Sequence, residues 1–203
     1  MHDTNNDAPI YRDLDGEGDE FRRALKHACA GLRPADRLLF DPTEGDWDSF
    51  YSGIFSEFIA AHFATVYSAA VAGEIERVAE LDERFVKDLD GAARARLSAS
   101  ANTVFEARAG AAGMRLLDRL RERRPDCAFT TAFAAHAASF NVPLLHALMA
   151  YLAVEWRAGE ESVGLELENS REWEKMFTGQ LLSSPEPIRQ ILSRSLRGWA
   201  EVA

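Results

Sequence analysis

Apolar residues recur at three- and four-residue spacing along most of the chain, which predicts helices and no convincing strand. From Asp46 or Asp48 to about Ala72, the positions Phe50, Ile54, Phe58, Ala61 or His62, and Thr65 or Val66 share a face. Gly73 punctuates that helix, as a glycine just past a helix end commonly does. Ile75, Val78, Leu81, Phe85 and Leu89 predict the next one over 74–89, broken at Gly91. A long Ala- and Arg-rich helix follows from Ala92 to Arg123, with Gly110 and Gly113 inside it. Each glycine lowers helix stability by about 1 kcal/mol relative to Ala, which suits a bend or a close helix contact.

Pro125 stops that segment, and an Ala-rich helix runs from Asp126 to about Phe140. The stretch Ala128 to Phe140 is apolar nearly all round, the pattern of a helix surrounded by protein. Pro143 opens the next helix at its first turn. That helix carries Leu144, Leu148, Tyr151, Leu152, Glu155 and Trp156 and meets a joint around Gly159 to Gly164. Two closing helices are expected over 170–182 and 186–200, parted by Ser184-Pro185-Glu186-Pro187. At the other end, residues 1–17 read as a disordered acidic tail, and Asp19 to Ala30 as a short amphipathic helix before a loop. The predicted fold is all-α: one domain over 18–203, a bundle of about eight or nine helices around the Ala-rich one.

Charge narrows the partner. A net charge of −10 argues against nucleic acid and against an anionic membrane surface, both of which demand clustered Lys and Arg. The start, MHDTNNDAPIYRDLDGEGDE, lacks the basic end and apolar stretch of a secretory signal. Apolar runs such as Ala128 to Ala138 contain polar residues and are too short to span a bilayer. A cytoplasmic location is expected, with Cys29 and Cys127 as reduced, buried thiols.

Templates for chemistry fail at named positions. Asp13, Asp15, Glu17, Gly18 and Asp19 imitate the start of a calcium loop, but Ala24 stands where its bidentate Glu belongs. Neither Glu-x-x-His pairs nor His-Glu-x-x-His occurs, so His62, His136 and His146 are read as packing residues, though the last two lie in successive helices. Cys127 sits near a helix start, where a thiolate is stabilised, without an identifiable His partner. No nucleophile elbow, phosphate loop or dinucleotide fingerprint is present. The chain therefore reads as a non-catalytic binder with no cofactor and no metal. Arg119, Arg121, Arg123 and Arg124 form the strongest local positive charge. They are either a solvated helix end or a docking patch for an acidic partner. Trp156, Trp173 and Trp199, with Arg157 and Arg171 beside two of them, combine the residue types that anchor interfaces.

Several segments then resemble the UreF family of urease accessory proteins. AGEIERVAELDERF (72–85) is similar to that family's Gly-Asp-x-x-x-Ala-x-x-Leu step. Glu106, Arg108, Gly113, Arg115, Leu116 and Leu117 resemble the region after it. RERRPDCA (121–128) is similar to its Pro-Asp-Cys link, and AFAAHAASFNVPLLHALMAYLAVEW (132–156) to its Ala-rich helix, Pro turn and Tyr-Leu helix. The likeness spans roughly residues 46–200. Two places depart from the family: APIYRDLDGEGDEF replaces a Pro-x-Gly-Gly opening, and LELENSREW (165–173) stands in place of a Pro-Leu-Gly-Gln turn. The resemblance implies an all-α, homodimeric assembly chaperone that scaffolds nickel insertion without catalysing it. Its partners would be other accessory proteins, a nickel-delivering GTPase and an apo-metalloenzyme client. Contacts expected from this reading are Arg115, Arg119, Arg121, Arg124, Arg157, Arg171 and Trp173. The alternatives are a chaperone for another metalloenzyme of the molybdenum type, faintly suggested by the acidic stretch Glu166 to Glu174, a helical enzyme or haem or metal carrier using His62, His136 or His146, and an interaction module without a metal link.

Overall fold

A computed structural model describes residues 36–107 and 115–162, together with Leu32, Pro34, Gly179 and Gln180. These residues are mostly helical with no strand among them, so the all-α expectation holds for them. About eight or nine helices were expected over the whole chain; among the described residues there are six. They are α1 (Trp47–Val71), α2 (Ile75–Lys87), α3 (Gly91–Ala107), α4 (Arg115–Arg123), α5 (Phe129–Ser139) and α6 (Leu144–Ser162). The helix expected over 19–30 and the two closing helices lie outside the described residues. The long segment expected over 92–123 is described as α3 and α4, with 108–114 between them outside the description.

The Ala-rich helix is the centre. Every residue of α5 from Phe129 to Ala138 is buried, and all five other described helices pack against it, α1 and α3 most extensively. Alanine makes this possible, because its short side chain lets neighbouring helices approach on all sides. Larger side chains fill the remaining space. Phe63 of α1, Phe129 and Phe133 of α5 and Tyr151 of α6 form one edge-and-tilt aromatic cluster. Each such ring, fully buried, contributes roughly 1.5–3 kcal/mol.

Helix ends follow the local chemistry. Asp46 caps α1, its Oδ1 accepting from the Ser49 N–H at 2.7 Å. Gly73, at φ 72°, lets Glu74 N–H reach back to the Ala69 carbonyl and ends α1. Asn141, at φ 53°, does the same for α5, with Val142 N–H on the Ala137 carbonyl. Both are left-handed closures, which glycine and asparagine tolerate best. The joint expected around Gly159 to Gly164 does not begin at Gly159: α6 runs through it to Ser162, and residues 163 and 164 lie outside the described residues. Glycine is required there for a different reason. A Cβ would lie 2.5 Å from Phe40 Cδ1, so Gly159 is where residues 36–46 cross α6 as a strap.

Helix α1 contains a π-helical stretch, Tyr51–Ile59. Ala60 N–H bonds to the Phe55 carbonyl five residues back, and Ser56 Oγ donates to the Tyr51 carbonyl at 2.6 Å. α1 is also 25 residues long with a window of mean hydropathy 1.4, which by length and composition meets the requirement for crossing a membrane; half of that window is buried within the fold.

Candidate docking face

The arginine-rich helix α4 is amphipathic. Leu117 and Leu120 are buried, while Arg115, Asp118, Arg119, Arg121, Glu122 and Arg123 face solvent. Helical spacing sorts the charges into rows. Arg115, Arg119 and Arg123 stand four residues apart on one flank, and Asp118 and Glu122 form the neighbouring row. The arginine row borders α2: Arg123 Nε lies 2.9 Å from Glu76 Oε2, and Ile75, Glu76, Arg119, Glu122 and Arg123 line a surface pocket of about 190 Å³. Arg115 and Arg119 have no ion-pair partner among the described residues. Arg121 turns to the other side, its guanidinium 5.8 Å from the centre of the Phe105 ring.

The remaining expected contacts do not join this face as one set. Arg124 is turned inward. Its Nε and a terminal nitrogen both lie 3.1 Å from Oδ2 of Asp82, a fully buried residue of α2. Arg157 is exposed on α6 and pairs with Glu161 at 2.6 Å. Arg171 and Trp173 lie outside the described residues.

Two buried polar centres were not foreseen as such, although Cys127, Tyr151 and Glu155 were each named from the sequence. In the first, Asp82 Oδ2 holds Arg124, while Oδ1 accepts the Ala128 N–H at 3.0 Å and the Cys127 thiol at 3.5 Å. The carboxylate thus caps the start of α5 from a different helix. Burial, with Asp82 beside it, pushes the Cys127 thiol well above its ordinary pKa, which leaves it protonated and inert. In the second centre, Glu155 Oε2 accepts the N–H groups of Leu39 and Phe40 at 3.0 and 3.1 Å. Its Oε1 accepts the Tyr151 hydroxyl at 2.5 Å, and Tyr151 in turn meets Thr130 Oγ1 at 2.9 Å. Burial raises the Glu155 pKa, opposed by these three donors. The signal for both lay in the helical register. Asp82 falls four residues after Val78 and Glu155 four after Tyr151, each on the apolar face of its helix.

An aromatic group fastens the same strap. Phe40, Trp47, Phe50 and Trp156 pack with ring centres 4.9–6.5 Å apart, and the Trp47 indole N–H donates to Gln180 Oε1 at 3.0 Å.

The histidines take packing positions. His62 stacks on Phe85 with ring centres 4.0 Å apart, and its Nε2 lies 2.9 Å from Thr131 Oγ1. Burial pulls its pKa down to about 3, so the ring is neutral. His136 lies edge-on to Phe133 and Phe140 inside α5, and His146 is buried on α6. Among the described residues, no three His, Cys, Asp or Glu side chains converge as a metal site would require. No protein-family model, curated protein or solved structure matches this chain.

Proposed function

We propose that this chain is a UreF-like assembly scaffold for a metalloenzyme, and that the α2–α4 border is its docking face. The observation that carries the docking role is the row formed by Arg115 and Arg119, two exposed guanidiniums without ion-pair partners among the described residues, on a chain of net charge −10. Arginine forks favour carboxylate recognition, and such charges raise encounter rates with an acidic partner. The neighbouring pocket adds buried Ile75 as an apolar floor. The resemblance of residues 72–85, 121–128 and 132–156 to UreF segments supports the choice of metalloenzyme assembly over a generic interaction role. In this reading the partners are a second accessory protein and a nickel-delivering GTPase, the client is an apo-urease, and the chain acts as a homodimeric scaffold in the cytoplasm without catalysing a step.

The test is capture of partners from native lysate of urease-producing cells, using the full chain and its Arg115→Glu/Arg119→Glu form. Urease subunits or a nickel GTPase should be recovered by the native chain and depleted at least tenfold by the double variant, with its thermal midpoint unchanged. Recovery of a molybdenum reductase would move the client to the alternative class. Recovery of none of these from urease-expressing cells rejects the assembly reading.

A further inference from the structure

The exposed side of α4 carries both signs of charge in order. At about 100° per residue, Arg115, Asp118, Arg119, Glu122 and Arg123 share an arc of about 140°, opposite the buried Leu117 and Leu120. They form two ridges of four-residue spacing: Arg115, Arg119 and Arg123 in one, Asp118 and Glu122 in the other. Neighbours within each ridge have like charge, which at that spacing disfavours an isolated helix. Arg115, Asp118, Arg119 and Glu122 have no ion-pair partner among the described residues, while Arg123 is held by Glu76 of α2 at 2.9 Å. With Glu76 included, three arginines face three carboxylates, so this surface is neutral on a chain of net charge −10. Such a surface does not select a partner of one sign. It fits one with the same two ridges.

We propose that this face of α4 packs against the same face of a second copy, the arginine ridge of each lying along the Asp118–Glu122 ridge of the other. The inference rests on the docking face proposed above and names a second copy of the chain as its occupant. Symmetry selects the arrangement, because a two-fold contact brings one patch against itself. A two-fold axis along the ridges keeps the helices in the same direction and sets each ridge against its opposite in sign. A two-fold axis across the ridges reverses one helix and sets arginine on arginine and carboxylate on carboxylate. Charge therefore admits the first and excludes the second. Ridges of four-residue spacing run parallel when two helices cross at about −50°. Arg115 then stands level with Asp118 of the second copy, and Arg119 with Glu122 of the second copy. That pairs the four unpartnered charges and leaves Arg123 with Glu76. The nine residues of α4 span only about 13 Å, so the contact belongs to the weak class that forms with rising concentration. Salt acts on it in two ways. The Debye length of about 8 Å at physiological salt screens repulsion between the two acidic chains but spares pairs in contact, whereas at 1 M it is about 3 Å and those pairs weaken too.

Sedimentation equilibrium of the purified full chain tests this. At about millimolar protein and physiological salt, where weak contacts are populated, the weight-average mass should rise toward that of two copies. It should fall back in about 1 M salt. Arg119→Glu and Glu122→Arg should each weaken the association on the order of tenfold, because each sets like charges against one another at both symmetry-related pairs. An equimolar mixture of the two variants should restore it, since each then offers the charge the other lacks. The chain carrying both changes should restore it as well, and either recovery shows that the single variants are folded. A native chain that stays monomeric at that concentration overturns the proposal. So does a dimer that neither single change weakens, and so does a loss that neither the mixture nor the doubly changed chain reverses. Only the purified chain enters this readout, so failure of the assembly reading registers in the lysate capture alone.

Discussion

Asp82 shows how much a single buried residue organises. It is 0% exposed, ion-pairs with Arg124 and receives the amide of Ala128, the residue just before α5. Removing one member of a buried pair leaves the other uncompensated, typically at a cost of about 3–5 kcal/mol. Asp82→Ala should therefore lower unfolding free energy by about that amount in urea titration, while Arg123→Ala, at the exposed Glu76 pair, should change it by under about 1 kcal/mol. His62 sets a pH limit of opposite kind. Its folded pKa of about 3 lies below its ordinary 6.5. The unfolded chain binds that proton first, so the stability is complete above pH 6.5 and is lost as pH falls from there toward 3, at up to about 1.4 kcal/mol per unit. Glu155, with a raised pKa, acts the other way: its contribution is greatest below the ordinary carboxylate range and is lost as pH rises through its folded value. His62→Gln retains a hydrogen-bonding group for Thr131 and should flatten the decline of urea midpoints between pH 6.5 and 5. An unaltered slope in that variant assigns the acid sensitivity to another group.

Among elements, α6 and α1 each contain a glycine whose role differs. At Gly159 the strap lies against the helix, and an added Cβ meets both the Phe40 ring and, at 3.2 Å, the Phe40 carbonyl oxygen. The ring can swing, but the backbone of the strap is held by Glu155. Overpacking of this kind destabilises by about 1–3 kcal/mol. At Gly53, in the π-helical stretch of α1, a Cβ would meet nothing within 4 Å, and Ala there should stabilise by about 0.5–1 kcal/mol through reduced backbone entropy of the unfolded chain. Thermal midpoints of Gly159→Ala and Gly53→Ala should therefore move in opposite directions. The helical register made α1, α2, α5 and α6 legible from the sequence, to within a few residues at each end. The continuation of α6 through Gly159 was not, because a glycine followed by acidic residues has the local pattern of a break. Only the strap crossing that point reveals a packing contact instead.

Across the whole molecule, the Glu155 centre ties residues far apart in sequence: Leu39 and Phe40 in the strap, Thr130 in the central helix, and Tyr151 and Glu155 in α6. The Arg96 side chain adds a bond to the Leu38 carbonyl from α3, at 3.4 Å. Glu155→Ala deletes the acceptor for two strap amides, and amide hydrogen exchange at Leu39 and Phe40 should accelerate by at least tenfold while α5 stays protected. Simultaneous loss of protection in α5 would show that the strap and the core open as one unit. Part of the proposed docking face was readable in advance, since clustered arginines on an acidic chain announce themselves by composition. Which of them are available was not. Arg124 and Arg119 lie five residues apart, yet one is spent on a buried carboxylate and the other faces solvent. Periodicity and composition determined by themselves that the chain is helical, where most helices lie, and that an alanine-rich segment has no polar face to give to water. Those properties are local, set by side-chain size, backbone preference and a repeat of 3.6 residues. Tertiary structure alone decided that Asp82 and Glu155 are internal anchors, that Phe40 and its neighbours pack on α6, and that Arg124 turns inward. These depend on partners 42 to 116 residues away, and distance along the chain carries no record of contact in space.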